Sequence, residues 1–254
     1  MTIIGTVAGL ATVYFVIAQG NLIDIFLNPL AATLVFGGTI SATLIAYPWE
    51  TLKEAIPSIR HLYIKPRTGE ADRRELIDLF ASLAEKARKM NIESLQAELP
   101  GIKNRFLVQG LQMVIDGIEQ NIVRDNLDKE ILHARQKNQK ISGVFNTMAT
   151  LAPIFGLLGT LIGIVGILRN LADPTTMGKA MAVGITATFY GIFAANFIFV
   201  PTATKLGEHG DNEVVTKELI TDGILSLQQG DLPLIMRKKL ETYITTKASE
   251  KENS

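Results

Sequence analysis

The chain has 254 residues, 25 Lys+Arg against 25 Asp+Glu, 47% hydrophobic side chains and no cysteine. Balanced charge excludes a nucleic-acid binder, which needs a basic surplus to neutralise phosphates. The absence of Cys excludes a disulfide framework and thiolate metal sites. The averages conceal a segregation: charged residues crowd into two stretches and nearly vanish from four others, which is the pattern of a polytopic membrane protein.

In chain order, Ile3 to Ala18 is apolar and has no basic residue ahead of it. A cleavable signal peptide carries Lys or Arg there, so this stretch is expected to be a retained transmembrane helix. Gln19 to Asp24 is a short polar link. Asn28-Pro29 reads as an N-cap followed by proline at the first helical position. A second span then runs from Leu30 to Tyr47, where Gly37-Gly38 allows close approach of a neighbour. Tyr47 and Trp49 suit the interfacial belt at its end.

From Glu50 to Lys140 the pattern is that of soluble helices. Leu76, Phe80, Leu83, Ala87 and Met90 recur at steps of three and four, opposite a face carrying Glu75, Asp78, Glu85, Lys86 and Lys89. Leu107, Leu111, Val114 and Ile118 mark another helix, interrupted near Asp116-Gly117. A third starts around Val123 and keeps a heptad-like register through Leu127, Ile131, Ala134, Asn138, Ile141 and Phe145. No Pro or Gly breaks it before Gly143, so it is expected to run straight into the next span, a mechanical coupling in sequence form.

The third span is uncharged from Val144 to Leu168, long enough to cross a bilayer. Its glycines, Gly156, Gly159, Gly163 and Gly166, recur at steps of three and four and fall on one side of a helix. Thr160 shares that side, and Pro153 lies below it. Arg169 to Lys179 is a loop with an Asp173-Pro174 turn signal. The fourth span, Ala180 to Val200, places Ala180, Gly184, Thr188, Gly191 and Ala195 on a common face. Pro201 marks its end. The tail from Lys205 carries two further helices, and Lys247 to Ser254 is expected to be disordered.

The fold expected is an all-α polytopic membrane protein with four transmembrane helices and a helical cytoplasmic domain. Its parts are residues 1–48 (spans one and two), 49–142 (cytoplasmic helices), 143–204 (spans three and four) and 205–254 (cytoplasmic helices and tail). Lys53, Arg60, Lys137, Lys140 and Lys205 flank one side of the membrane, while the short loops carry only Arg169 and Lys179. By the positive-inside rule both termini face the cytoplasm.

The chemistry is chiefly an absence. No span holds Asp, Glu, His, Lys or Arg in its interior, whereas a protein that moves cations alone needs an ionisable group in the membrane. Thr160, Thr188, Asn146, Asn196 and carbonyls loosened near Pro153 are what remain. Threonine oxygens can ligate a cation or hydrogen-bond a carboxylate, but they do not carry protons. Either the chain transports nothing, or a second subunit brings the carboxylate. Enzyme readings find no Ser/His/Asp set, no HExxH and no GxxxxGK. His61, His133 and His209 lack metal-ligand spacing, so no cofactor or metal site is expected.

Ala152-Pro153, then Gly156-Leu-Leu-Gly159-Thr160-Leu-Ile-Gly163, Asp173-Pro174, Ala180-Met-Ala-Val183, Thr188-Phe-Tyr190-Gly191 and Pro201 together resemble the flagellar stator A subunit, the MotA/PomA family. Ala87-Arg88-Lys89, Asp116-Gly117 and Asp222-Gly223 extend the resemblance over essentially the whole chain. It implies an inner-membrane, pentameric A ring around two single-span B subunits (MotB/PomB-like). These supply a transmembrane aspartate and a peptidoglycan anchor, and inward Na⁺ or H⁺ flow past the aspartate turns the flagellar rotor.

By the same resemblance, Thr160 and Thr188 line the ion pathway, and both hydroxyls together favour Na⁺, although Ala187 replaces a further threonine of some sodium-type relatives. Pro153 and Pro201 couple ion binding to conformational change. Gly156, Gly159, Gly163, Gly166, Gly184 and Gly191 pack the partner helix. Arg88 and Lys89 meet FliG, the rotor switch-complex protein. The acidic companion expected eight residues on falls on Gln96, leaving Glu93 or Glu98 to substitute. Two other readings stand beside this one: an ion-driven energiser ring of the ExbB/TolQ type, and a non-conducting membrane scaffold.

Overall fold

A computed structural model describes residues 2–63, 69–169 and 171–252. The side chains of Arg60 and His61 lie outside the described residues, as do residues 253–254. Every regular element described is helical. The chain divides into two units, residues 1–63 with 140–206 and residues 64–139 with 207–254.

The first unit opens with α1 (Thr2–Gln19). The second apolar stretch is interrupted: α2 (Ile23–Phe26) stops, and α3 (Pro29–Ala32) begins with the Asn28 side chain accepting from the Ala31 N–H. This is the capping expected from Asn-Pro, since proline at the first helical position has no N–H to strand. A wide π turn over Thr33–Gly37 leads into α4 (Gly38–Ala46). Next comes α5 (Trp49–Tyr63), whose Leu52 and Ala55 are buried beside Ile141, Val144 and Phe145. The 49–63 stretch therefore packs within the first unit.

Three helical runs among the described residues are long and apolar enough to cross a membrane, Ile23–Ala46, Gln120–Arg169 and Pro174–Gln228.

The long third helix is continuous, α8 (Gln120–Arg169), with Pro153 inside it. Asp173 then caps α9 (Pro174–Ala194), its carboxylate accepting from the Thr175 N–H, so Asp173-Pro174 starts a helix directly. Pro201 does not end the helix that follows. A π turn over Ala195–Phe199, closed by the Val200 N–H on the Ala195 carbonyl, leads straight into α10 (Val200–Gln228). Proline cannot donate to the ladder, and the wide turn changes the register just before it.

The second unit has a side-chain core. Its elements are α6 (Glu70–Met90), short 3₁₀ turns at Ile92–Ala97 and Leu99–Gly101, α7 (Arg105–Ile115), the first part of α8, the later part of α10, and α11 (Pro233–Glu252). Phe80, Leu95, Leu107, Leu111, Leu127, Leu219, Ile220, Ile224 and Leu240 are fully buried there. Of the face expected on α6, Phe80 and Leu83 are buried, whereas Met90 at its end is exposed.

Two glycines close turns in this unit with positive φ. Gly117 (φ 73°) and Gly230 (φ 74°) each follow a helix. The next residue's N–H reaches back five residues, Ile118 to Met113 and Asp231 to Ser226, the pairing by which a left-handed residue satisfies the last carbonyls. The tail expected to be disordered from Lys247 is helical as far as Glu252, in keeping with its helix-forming Lys, Ala and Glu residues.

Candidate functional site

The glycine stripe of α8 and the small-residue stripe of α9 lie against each other. A Cβ placed on Gly156 would sit 2.9 Å from the Ala187 carbonyl oxygen and 3.0 Å from Thr188 Cα. On Gly163 it would sit 2.8 Å from the Ala180 oxygen, and on Gly191 2.5 Å from the Ala152 oxygen. A Cβ on Gly184 would sit 3.1 Å from Thr160 Cα, and on Gly159 and Gly166 it would sit 2.3 and 3.0 Å from the methyls of Ala187 and Ala180. The two helices touch backbone to backbone, as small residues allow in a membrane. The helix that covers these six glycines is thus α9 of the same chain, or α8 in return.

Both candidate hydroxyls sit on this seam. Thr160 is half-buried and its Oγ1 donates to the Leu157 carbonyl at 2.6 Å. Thr188, also half-buried, lies within bonding distance of two carbonyls, Gly156 across the seam at 3.2 Å and Gly184 on its own helix at 3.3 Å. One proton serves one acceptor at a time, so each threonine oxygen keeps lone-pair capacity for a further donor or a cation. Gly184, against which Thr160 packs, lies one turn before Thr188. Pro153 belongs to the same contact, its Cα lying 3.1 Å from a Cβ on Gly191.

The charged candidates sit at the end of α6. Arg88 is exposed and makes no ion pair among the described residues, whereas Lys89 pairs with Glu85 at 2.7 Å. That bond, with the attraction of the ammonium, holds the Glu85 carboxyl below its ordinary range. Asn91 then turns the chain with φ 110° and ψ 167°, a region sparsely populated by any residue but glycine. Its side chain accepts from the Ser94 N–H at 3.2 Å and so starts the next turn. Glu98 is paired with Lys86 inside the unit. Glu93 and Gln96 are exposed, and among the described residues Glu93 has only a 3.4 Å contact from the Asn91 amide. Of the two acids that could stand in at Gln96, Glu93 is the less engaged.

Sequence reasoning passed over two hydroxyls. Thr186, fully buried, donates to the Ile25 carbonyl at 3.1 Å. Tyr190 donates to the Phe26 carbonyl and accepts from the Asn28 N–H at 3.4 Å. The signal was present in Pro29, whose missing N–H leaves the carbonyl four residues back without its helical donor. Among the described residues no cluster of three or more His, Cys, Asp or Glu could hold a metal.

Comparison with known proteins agrees with this organisation. Residues 98–219 match the model of the MotA/TolQ/ExbB proton channel family, and residues 3–91 match that of the Motility protein A N-terminal region. The chain is 32% identical to Chemotaxis protein PomA of Vibrio alginolyticus over 96% of its own length and 94% of that protein. It is 30% identical to Motility protein A of Treponema phagedenis, over 84% and 82%.

Among solved structures, the flagellar MotAB stator complex from Bacillus subtilis contains a chain that matches with a TM-score of 0.85. The identity is 29%, covering 100% of this chain and 98% of that one. A chain of C. jejuni MotAB shares the fold, with a TM-score of 0.88 at 21% identity over 95% and 94%.

Proposed function

The chain belongs to the MotA/PomA family of flagellar stator A subunits, and from that membership we propose that the α8–α9 seam is this chain's half of an ion site. The other half is the aspartate of a single-span B subunit. The observation that carries this reading is the pairing of two threonines on a backbone-close seam with the absence of Asp, Glu, His, Lys and Arg from residues 144–168 and 180–200. A protein of an ion-driven family without a membrane charge of its own must borrow one.

On this proposal the chain forms a pentameric ring in the inner membrane around two B subunits. Four helices span the bilayer, α1 being the first, and both termini are cytoplasmic. Ion passage at Thr160 and Thr188 biases the Pro153 and Pro201 positions. Arg88, Lys89, Glu93, Gln96 and Glu98 present the face that engages FliG. Exposed charges there steer docking more than they hold it. The N-terminal match to Motility protein A separates this reading from an ExbB/TolQ-type energiser.

The test uses cells stripped of their own stators and carrying this chain with its B subunit. Swimming speed is expected to rise with external sodium at fixed membrane potential, and Thr188→Val to weaken that dependence. Speed indifferent to sodium would reassign the ion to H⁺. Failure of a single-span protein with a membrane aspartate to co-purify would leave the non-conducting scaffold.

A further inference from the structure

The break in the second apolar run is fastened by α9, and the fastening has a direction. Between α2 and α3 the chain leaves the helical path at Leu27 and Asn28. Pro29 has no N–H, so the Ile25 carbonyl cannot be closed from within its own segment. A carbonyl closed off from water and left open is costly. Thr186 Oγ1 donates to Ile25, and Tyr190 Oη donates to Phe26 while receiving the Asn28 N–H. The Phe26 ring stands edge-on to Phe189 with centroids 4.7 Å apart.

Thr186 and Tyr190 are four residues apart and so share one face of α9. Thr188, two residues from each, points the other way, to the Gly156 carbonyl of α8. Between them Ala187 is completely buried, with Ala31 and Val35 in its cluster and the Gly159 position against its methyl. One stretch of α9 therefore holds the broken segment on one side and the threonine seam on the other.

We propose that Thr186 and Tyr190 are positioning residues: their hydroxyls clasp the Ile25–Asn28 break and thereby fix where α9 presents Thr188 to α8. The proposal rests on the ion-path reading of Thr188. Neither hydroxyl needs to touch the ion. Each acts by keeping two unpaired carbonyls tied to α9, so that this helix cannot slide along α8 without exposing them.

The experiment is a double-mutant cycle in the assembled A–B complex, read as the half-saturating ion concentration for motility, with complex yield measured alongside. Thr186→Val and Tyr190→Phe each remove one donor at nearly constant shape, and Thr186→Ser keeps it. The expected result for Val and Phe is a shift of roughly two- to tenfold in ion dependence, the scale of one hydrogen bond, at wild-type yield. Thr186→Ser should restore the wild-type value, and Tyr190→Phe should add little to Thr188→Ala because both act on one position. If Thr188→Ala shifts the ion dependence and neither clasp variant does, the clasp falls and the ion path stands. If Thr188→Ala is itself inert, the ion-path reading falls and takes the clasp with it. A loss of yield with unchanged ion dependence would reduce both hydroxyls to structural roles and overturn the proposal.

Discussion

The α8–α9 seam and the core around Phe80 bring helices together by opposite means. In the seam the contacts are backbone to backbone, and side chains are nearly absent from the interface. In the core, Phe80 lies across α10 so closely that a Cβ on Gly223 would be 2.6 Å from its ring, and large side chains such as Leu107, Leu219, Ile224 and Leu240 are buried between α6, α7, α10 and α11. Water explains the difference. A helix pair in water is driven together by removing apolar area, which rewards bulk. A pair in lipid gains nothing by that route and relies on close packing and hydrogen bonds, which reward smallness. The seam should therefore fail when atoms are added, and the core when atoms are removed.

The largest effect expected from this contrast is Phe80→Ala. Phe80 is completely buried, and truncating such a residue costs about 3–5 kcal/mol through lost transfer energy and the cavity left behind. Hydrogen exchange on the full chain in detergent should show peptides across Leu219–Leu227 losing protection, with α9 unchanged. Equal loss in both units would mean that they do not differ as argued.

Next in size is Gly191→Ala, which would place a methyl 2.5 Å from the Ala152 carbonyl oxygen. Neither helix can move aside without disturbing the other seam contacts, so a cost of about 1–3 kcal/mol is expected from overpacking. The readout is loss of assembled complex and of motility. Gly178→Ala is the control, since nothing lies within 4 Å of that position on the same helix; it should be neutral.

Smaller still is Gly110→Ala in the core. Its added methyl meets Ile224 Cδ1 at 2.1 Å, but that atom ends a side chain able to rotate. A cost below about 1 kcal/mol is expected, removed by shortening the neighbour with Ile224→Val. A core glycine as intolerant as Gly191 would erase the distinction between the two regions.

How much of this was open to the sequence differs in the same way. The core faces of α6 and α7 were visible because burial in water imposes a repeat, and Leu107, Leu111 and Val114 are buried as their spacing implied. The glycine stripes were equally visible, but their partner was not. Small residues announce that something lies close without naming it, and the something was α9. Pro201 closes the apolar run in the sequence but does not tell whether the helix goes on, because the π turn through which it continues has no periodic signature. The clasp by Thr186 and Tyr190 escaped because its partners are backbone carbonyls 161 and 164 residues away, and a carbonyl leaves no letter in the sequence.

The two regions should also part company in acid. Asp231, at the turn between α10 and α11, receives a 3.1 Å hydrogen bond from Lys239 Nζ, and that bond holds its carboxyl below the ordinary value of 3.8. A carboxylate depressed in the folded state contributes stability that is present above its unfolded value and is lost as the pH falls through the folded one. The α10–α11 turn should therefore hold from neutral pH down to about 4 and loosen below it. Amide exchange at Gly230–Met236, followed from pH 5 to pH 3 and corrected for intrinsic rates, should reveal this loosening. Asp231→Asn should abolish the dependence while leaving the turn in place, since Gly230 still closes the helix. Residues 144–168 and 180–200 contain no group that titrates in this range, so the seam should be indifferent to the same change. Acid loosening that began in the seam would mean that a charge from elsewhere is already lodged there.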